Sequence, residues 1–143
     1  MTTQAPTAMT AASLPAKETL TIEFKRDTQR LSDDDLAEAL VCLANTEGGE
    51  LWLGVEDDGT ASGLHPDHRS LTGLAALIAA RTSPSLAVSV ESIAVNGVTV
   101  ARISVPKATS EVATTAGVYL RRRLKSDGTP ECVAMLPHDK ALT

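Results

Sequence analysis

Four of the thirteen positive charges of the chain lie within five residues near its C-terminal end, at Arg121, Arg122, Arg123 and Lys125. On a strand, neighbouring side chains point to opposite faces, so Arg121, Arg123 and Lys125 share one face and Arg122 takes the other. A row of three cations can contact three phosphates of a nucleic acid through salt-sensitive ion pairs. The same charges would also keep an exposed edge strand soluble, and the residues leave both interpretations open. Contacts to phosphate read no bases, so no sequence specificity is implied.

A carboxylate and an ammonium group lie two residues apart, at Glu23 and Lys25, on the polar face of an alternating segment. Carboxylates that converge on a hard cation, with a basic group beside a phosphate, are the elements of metal-assisted phosphodiester cleavage. Asp57, in the turn after the next strand, would approach Glu23 if the two strands pair. The alternative is a solvated strand face and a turn that prefers aspartate for backbone reasons. The spacing does not decide between them.

The remaining polar motifs favour structural roles. His65 and His68 have a proline between them and lack further zinc ligands, so we expect a loop with incidental histidines. Gly48 and Gly49 follow a helix, whereas a phosphate-binding glycine loop precedes one, so they indicate a helix end and no cofactor such as ATP is expected.

Two cysteines, Cys42 and Cys132, lie far apart in the sequence and form no Cys-x-x-Cys pair. In a chain without a secretory signal, this usage predicts buried, reduced thiols and a cytoplasmic location. Residues 1–16 carry no charged side chain and have no basic start or continuous apolar stretch, so they are not a signal peptide.

Hydrophobic periodicity predicts the elements that position these groups. A strand over 19–25 is followed by a helix that begins after the N-cap Ser32 and ends near Asn45, since Asp35 lies in the capping-box position. Further strands are predicted over 50–55, 60–62, 86–95, 98–105, 117–124 and 131–136, and a second helix over 70–81. The Asn96-Gly97 pair predicts a tight hairpin between two of these strands. The order indicates an α+β fold, a mixed and mostly antiparallel sheet with two helices packed on it.

Length and composition limit the function classes. The 143 residues make one compact domain, for which we expect an N-terminal flexible tail over 1–16, the domain over 17–138 and a C-terminal tail over 139–143. A net charge of -5 means that any nucleic-acid role depends on a local basic patch. One Phe, one Trp and one Tyr are too few for a surface that stacks several bases. No apolar run reaches the roughly 18 residues of a membrane span, so no membrane partner is expected.

Three segments together resemble the Schlafen-type AlbA domain, a family found in many bacterial regulators. They are residues 18–25 (ETLTIEFK), residues 43–55 (LANTEGGELWLGV) with the acidic turn 56–59, and residues 117–121 (GVYLR). The middle segment is the most specific, because a helix exit Asn-Thr-x-Gly-Gly leads directly into a strand that ends Gly-Val. The resemblance extends from about Lys17 to Leu136.

The resemblance implies a nucleic-acid-binding domain of a bacterial transcriptional regulator. The candidate nucleic-acid contacts are Lys25 and the basic strand residues Arg121, Arg122, Arg123 and Lys125. In the Schlafen branch the same positions form a metal-dependent RNA-cleaving site. That implies Glu18, Glu23 and Asp57 (or Asp58) as ligands of Mg²⁺ or Mn²⁺, and Lys25 as a further catalytic residue. The Schlafen nucleases use two copies of the domain, so a homodimer is expected here. A self-pairing structural module without nucleic acid is the third hypothesis.

Overall fold

A five-stranded mixed sheet forms the centre of the structure, a computed structural model that describes residues 7–9 and 14–140. Its strands lie in the order β1-β5-β6-β3-β2, with parallel pairing at the two edges and antiparallel pairing between β5, β6 and β3. The elements are β1 (Thr7–Met9), β2 (Ile22–Lys25), α1 (Asp33–Ala44), β3 (Gly49–Leu53), α2 (Leu74–Ala80), β4 (Thr82–Ser83), β5 (Ser89–Val95), β6 (Val98–Val105), β7 (Ala113–Thr114), β8 (Leu120–Leu124) and β9 (Pro130–Ala134). The α+β fold class predicted from the sequence is confirmed.

The main core lies between the sheet and the two helices. Leu36, Leu40 and Leu43 of α1 are 0–1% exposed and pack against Leu51 and Ile103 of the sheet. The opposite face carries a second core around Trp52 and Phe24, which stand side by side on β3 and β2, and around further buried side chains. The sheet is therefore covered on both faces, which explains why the residues of β3 are almost continuously apolar.

Helix α1 begins and ends as the sequence predicts. The Ser32 hydroxyl accepts the Asp35 N–H at 3.1 Å, and Asn45 is the C-cap. The glycine pair that follows is needed for steric reasons. A Cβ on Gly49 would lie 2.1 Å from the Thr21 carbonyl oxygen, and Gly48 has a φ of +73°. Only glycine tolerates both conditions, so the chain can turn directly into β3.

Several predicted boundaries are wrong. The second helix begins at Leu74 rather than near residue 70, because Gly73 before it adopts a left-handed φ of +84°. The strand predicted over 60–62 is reduced to a single bridge between Val55 and Ala61. Within the predicted tail 1–16, Thr7–Met9 pairs with the open edge of β5 and Leu14 is buried, while residues 1–6 and 10–13 lie outside the described residues.

The last two predicted strands form their own hairpin instead of joining the main sheet. β8 and β9 pair only with each other in the described structure, and β8 packs on α1. A 3-10 turn at Pro137–Lys140 spans the predicted start of the C-terminal tail at residue 139 and carries Asp139. We call the β8 and β9 pair the terminal hairpin.

The prediction of two free, buried thiols is wrong. Cys42 of α1 and Cys132 of β9 form a disulfide with a Cα–Cα distance of 6.1 Å, although 90 residues separate them. Cys42 is buried at 1% exposure, whereas Cys132 lies on an exposed position of its strand. The proximity arises from packing of the terminal hairpin on α1, which no local pattern in the sequence reveals.

His68 is also not an incidental loop residue. Its Nδ1 lies 2.8 Å from the carboxylate of Asp27, and both residues are buried. Asp27 accepts two further hydrogen bonds, from the N–H groups of Leu31 and His65, each at 2.8 Å. This buried pair fastens the loop before α2 to the segment before α1. No helix in the described part of the chain has the length and apolar character to cross a membrane.

Candidate functional site

A tight turn before β2 brings Glu18 close to Glu23. Thr19 and Ile22 exchange two backbone hydrogen bonds of 3.1 and 3.3 Å, so residues 19–21 reverse the chain instead of extending the strand. Glu18 then lies beside β2, where its carboxylate accepts the Phe24 N–H at 2.9 Å. The strand predicted over 19–25 is thus confirmed only from Ile22 onward, and the turn is what joins the two glutamates.

Burial and the neighbouring Glu23 both raise the pKa of the Glu18 carboxyl. Burial is the largest cause, and it raises the pKa of the Glu18 carboxyl above its usual value of 4.5. The hydrogen bond from Phe24 lowers that pKa, while the charge of Glu23 and a hydrogen bond between the two side chains raise it again. Two carboxylates that share one site compete for ionisation, so one of them holds its proton to a higher pH.

Arg122 is the cation that this pair faces. Its side chain is 2% exposed, and its Nη1 donates to a carboxylate oxygen of Glu23. The other guanidinium N–H groups donate to backbone oxygens, to Thr19 at 2.8 and 3.0 Å and to Ile22 at 2.6 Å. Arg122 therefore holds the terminal hairpin against the tight turn and β2. It lies on the inner face of β8, away from the outward side chains predicted to meet phosphate.

Two residues of the helix exit hold β8 in place, and sequence reasoning missed this role. The Asn45 amide donates to the carbonyl oxygens of Val112 at 2.7 Å and Leu120 at 2.8 Å, and its oxygen accepts the Val112 N–H at 2.8 Å. The Thr46 hydroxyl accepts the N–H of Arg122 at 2.8 Å. The Asn-Thr pair of the motif was the available signal. In the structure, Asn45 and Thr46 attach β8 to the C-terminal end of α1 through these hydrogen bonds.

Glu18, Glu23 and Lys25 line one cavity of about 320 Å³, which we call the carboxylate cavity. The Lys25 ammonium lies 3.8 Å from the second carboxylate oxygen of Glu23. The cavity lies between β2, α1 and the terminal hairpin. Its described lining carries five carboxylates and two cations, from Glu18, Glu23, Asp35, Glu38, Glu131, Lys25 and Arg122.

Asp57 lines a second cavity, of about 240 Å³, and Glu18 lines both this cavity and the carboxylate cavity. The adjacent Asp58 is occupied by its own turn, since its carboxylate accepts the Thr60 N–H at 2.9 Å. That hydrogen bond is the largest cause lowering the pKa of Asp58. Of the two aspartates between which the sequence left a choice, Asp57 lines a cavity with Glu18, and Asp58 accepts a hydrogen bond within its own turn.

The three carboxylates expected to hold Mg²⁺ or Mn²⁺ do not form a metal-binding group as they stand. In the chain from residue 14 to residue 140, no three His, Cys, Asp or Glu side chains are arranged so that they could hold a metal ion. One oxygen of Glu23 is bound to Arg122 and one oxygen of Glu18 to the Phe24 N–H. The donor set does not fit the ion in this arrangement.

The outward face of the terminal hairpin carries the remaining candidates. Arg123 is the most exposed arginine of the three, at 53% of its side chain, and its Nε lies 3.0 Å from Glu131. Arg121 is 29% exposed and lies 3.0 Å from Asp139. Lys125 is exposed at the end of β8. Arg121 and Arg123 therefore lie on the face of β8 opposite Arg122, and each already faces a carboxylate.

Comparison with known proteins identifies the family. A family model described as Schlafen, AlbA_2 matches residues 18–129, which include the glutamates, the helix exit and the terminal hairpin up to its turn. The chain belongs to this family. The Schlafen AlbA_2 assignment made from three motifs is thus confirmed. No match was found among curated proteins.

Two solved structures resemble this Schlafen AlbA_2 domain. The DIP2311 protein of Corynebacterium diphtheriae is 25% identical with a TM-score of 0.66; the match covers 81% of this chain and 25% of that one. The N-terminal domain of a RecG-related protein of Nitrosomonas europaea, whose name relates it to an ATP-dependent DNA helicase, is 27% identical with a TM-score of 0.54. That match covers 85% of this chain and 88% of that one. The chain spans about a quarter of the length of the first protein.

Proposed function

We propose that this Schlafen AlbA_2 domain binds nucleic acid through phosphate contacts from the outward face of the terminal hairpin. The observation that carries the proposal is the exposure of Arg123 and Lys125, with Arg121 beside them, on a hairpin that is fixed to the domain by the buried Arg122. The family supports a nucleic-acid role, as does the helicase-related name of the Nitrosomonas europaea protein.

The ion pair of Arg123 is compatible with binding, whereas the Arg121–Asp139 pair is less exposed, at 29% and 15% of its side chains. An exposed salt bridge contributes only about 0–1 kcal/mol, so a phosphate can replace Glu131 as the partner of Arg123 at little cost. Arg122 is different, because its guanidinium is buried among backbone carbonyls and cannot turn outward without leaving Glu23. We therefore exclude Arg122 from the contact surface and keep Arg121, Arg123 and Lys125.

The carboxylate cavity is a poor site for a phosphate. Five carboxylates against two cations in its described lining repel an anion unless further cations enter with it. Lys25 lies at this cavity beside Glu23, so the surrounding carboxylates oppose a contact between Lys25 and a phosphate. The electrostatics favour binding on the hairpin face.

We also propose a cellular role, an oligomeric state and a location for the domain. A role in a bacterial transcriptional regulator, the homodimer and the cytoplasmic location are consistent with the family. The cytoplasmic expectation rested on free thiols, and it loses that support because Cys42 and Cys132 are bonded.

A binding titration with matched variants tests the main proposal. Wild type and the double variant Arg121→Gln with Arg123→Gln would meet labelled transfer RNA, single-stranded RNA and duplex DNA at low salt. We expect the double variant to lose about tenfold or more in affinity, since each phosphate contact contributes salt-dependent free energy. Arg81→Gln is the matched control, because Arg81 is also an exposed arginine paired with aspartates but lies at the end of α2. Equal loss in the control, or no binding by wild type, would contradict the proposal.

A metal-dependent endoribonuclease is the second candidate, and one observation favours it. Glu18 and Glu23 approach each other at the carboxylate cavity, and Glu18 also borders the cavity that Asp57 lines. Binding of a metal there requires Glu23 to leave Arg122. The test is cleavage of transfer RNA with Mn²⁺ or with a chelator, by wild type and by Glu18→Gln. That variant keeps an oxygen acceptor for the Phe24 N–H. Cleavage that needs the metal and is lost in Glu18→Gln would support the enzyme, and cleavage that survives in the variant would indicate a contaminant.

A further inference from the structure

The disulfide joins the terminal hairpin to α1 at the same place where Arg122 joins it to β2. Cys132 is the cross-strand partner of Arg122 in the β8–β9 ladder, and paired residues project from the same face of a hairpin. One inner face thus carries two neighbouring anchors, an ion pair to Glu23 and a covalent bond to Cys42.

The two strands of the hairpin are not held equally. β8 has hydrogen bonds to the body of the domain through Asn45, Thr46 and Arg122. In the part of the chain that the structure describes, β9 pairs with β8 along its length, and the disulfide is its direct link to α1. Opening the bond would therefore release β9 more than β8.

Release of β9 would change both the proposed binding face and the carboxylate cavity. Glu131, next to Cys132, is the carboxylate that pairs with Arg123 on the outward face. Glu131 and Cys132 also line the carboxylate cavity. A shift of β9 changes the partner of Arg123 and one wall of the cavity in a single movement.

The bond is placed so that a thiol can reach one of its sulfurs. Cys42 is 1% exposed, whereas Cys132 lies on an exposed position that borders an open cavity. A thiolate of a dithiol reductant attacks the Cys132 sulfur, and Cys42 leaves as a thiolate that takes up a proton. The second thiol of the reductant then attacks the mixed disulfide and frees Cys132. Two electrons and two protons pass to the domain, and the reductant becomes a disulfide.

We propose that the Cys42–Cys132 bond is a redox switch for nucleic-acid binding: the oxidised form holds Glu131 of β9 against Arg123, and reduction releases Glu131 with β9, frees Arg123 for phosphate and strengthens binding. This inference rests on the proposed function of the hairpin face. It assigns regulation to that face and requires a dithiol protein or small dithiol as the reductant.

The experiment compares binding by one protein in two redox states. Wild type is oxidised, and free thiols are titrated under denaturing conditions before and after treatment with a dithiol. We expect no free thiol before and two after, and an affinity for labelled RNA or DNA that rises about twofold to fivefold on reduction, because Arg123 loses its competing carboxylate. A fall in affinity on reduction overturns the switch. The variant Cys132→Ser should bind as tightly as reduced wild type, with or without reductant, which also controls for effects of the reductant on the nucleic acid. Far-ultraviolet circular dichroism checks that each form is folded.

The outcomes separate this inference from the proposed function. Equal affinity of oxidised and reduced wild type overturns the switch and leaves binding in place. Failure of both forms to bind overturns the proposed function and the switch with it. Two free thiols in the oxidant-treated protein also overturn the switch. If Cys132→Ser does not fold, the oxidised and reduced forms of wild type still decide the question.

Discussion

Replacing Arg122 with methionine tests the anchoring of the terminal hairpin most sharply. Arg122→Met keeps a long apolar side chain but removes the guanidinium. The carboxylate of Glu23 is left without this cation, and the carbonyls of Thr19 and Ile22 keep only the backbone hydrogen bonds that they exchange. Both partners are largely buried, at 2% and 13% of their side chains. Removing one partner of a buried pair costs about 3–5 kcal/mol, because the other charge stays buried and unpaired.

Urea unfolding with the disulfide intact measures this loss in the free energy of unfolding. Arg123→Met is the matched control, since its pair with Glu131 is exposed and should contribute about 0–1 kcal/mol. Adding Glu23→Gln to Arg122→Met should recover part of the loss, because the buried charge is then removed as well. A loss below about 1 kcal/mol for Arg122→Met, the size expected of an exposed pair, would refute the reasoning.

Three further changes have defined outcomes. Glu18→Gln should make the domain more stable near neutral pH: a carboxyl whose folded pKa is raised binds its proton more tightly in the folded state, so its contribution is lost as pH rises from 4.5 through the raised value. Thermal unfolding from pH 4 to 8 should show a flatter profile for this variant, and an unchanged profile would disprove the effect of Glu23 and burial. Asn45→Ala should cost about 2–4 kcal/mol in urea unfolding, because it orphans buried backbone groups, and a loss under 1 kcal/mol would contradict the docking role. Gly49→Ala should fail to fold or unfold at much lower urea, because its Cβ would lie 2.1 Å from the Thr21 carbonyl oxygen; a wild-type midpoint would refute the steric argument.

Local patterns predicted the elements that depend on local physics. The N-cap Ser32, the helix end at Asn45 and the Asn96-Gly97 hairpin follow from capping and turn geometry, and the structure confirms them. The family was also recognisable, because the Asn-Thr-x-Gly-Gly exit combines a side-chain anchor with two glycines that steric contact demands.

The positions of the candidate site residues depend on contacts between segments that are distant in the sequence. Alternation from Leu20 to Phe24 looked like a continuous strand, yet residues 19–21 form the turn that brings Glu18 to Glu23. Nothing in the row of arginines shows that Arg122 is buried, because the terminal hairpin becomes a separate layer only when it packs on α1. The parity argument did predict that Arg122 lies on the face opposite Arg121 and Arg123, and the register confirms it.

Buried pairs between residues far apart in the sequence could likewise not be predicted from local patterns. Asp27 lies in a polar stretch and His68 in a loop, so the sequence pattern predicts that both are exposed. In the structure both are buried, with His68 Nδ1 2.8 Å from Asp27 Oδ2. The bond between Cys42 and Cys132 spans 90 residues and carries no spacing signal. Long-range pairs of this kind are set by topology, which periodicity does not encode.

The salt dependence of nucleic-acid binding tests the central claim most directly. If Arg121, Arg123 and Lys125 contact three phosphates, log K against log salt for duplex DNA should fall with a slope of roughly -2.7, and the Arg121→Gln with Arg123→Gln variant should have a slope of roughly -0.9. A flat dependence for wild type, or the same slope in the variant, would show that the outward face of the terminal hairpin does not bind phosphate.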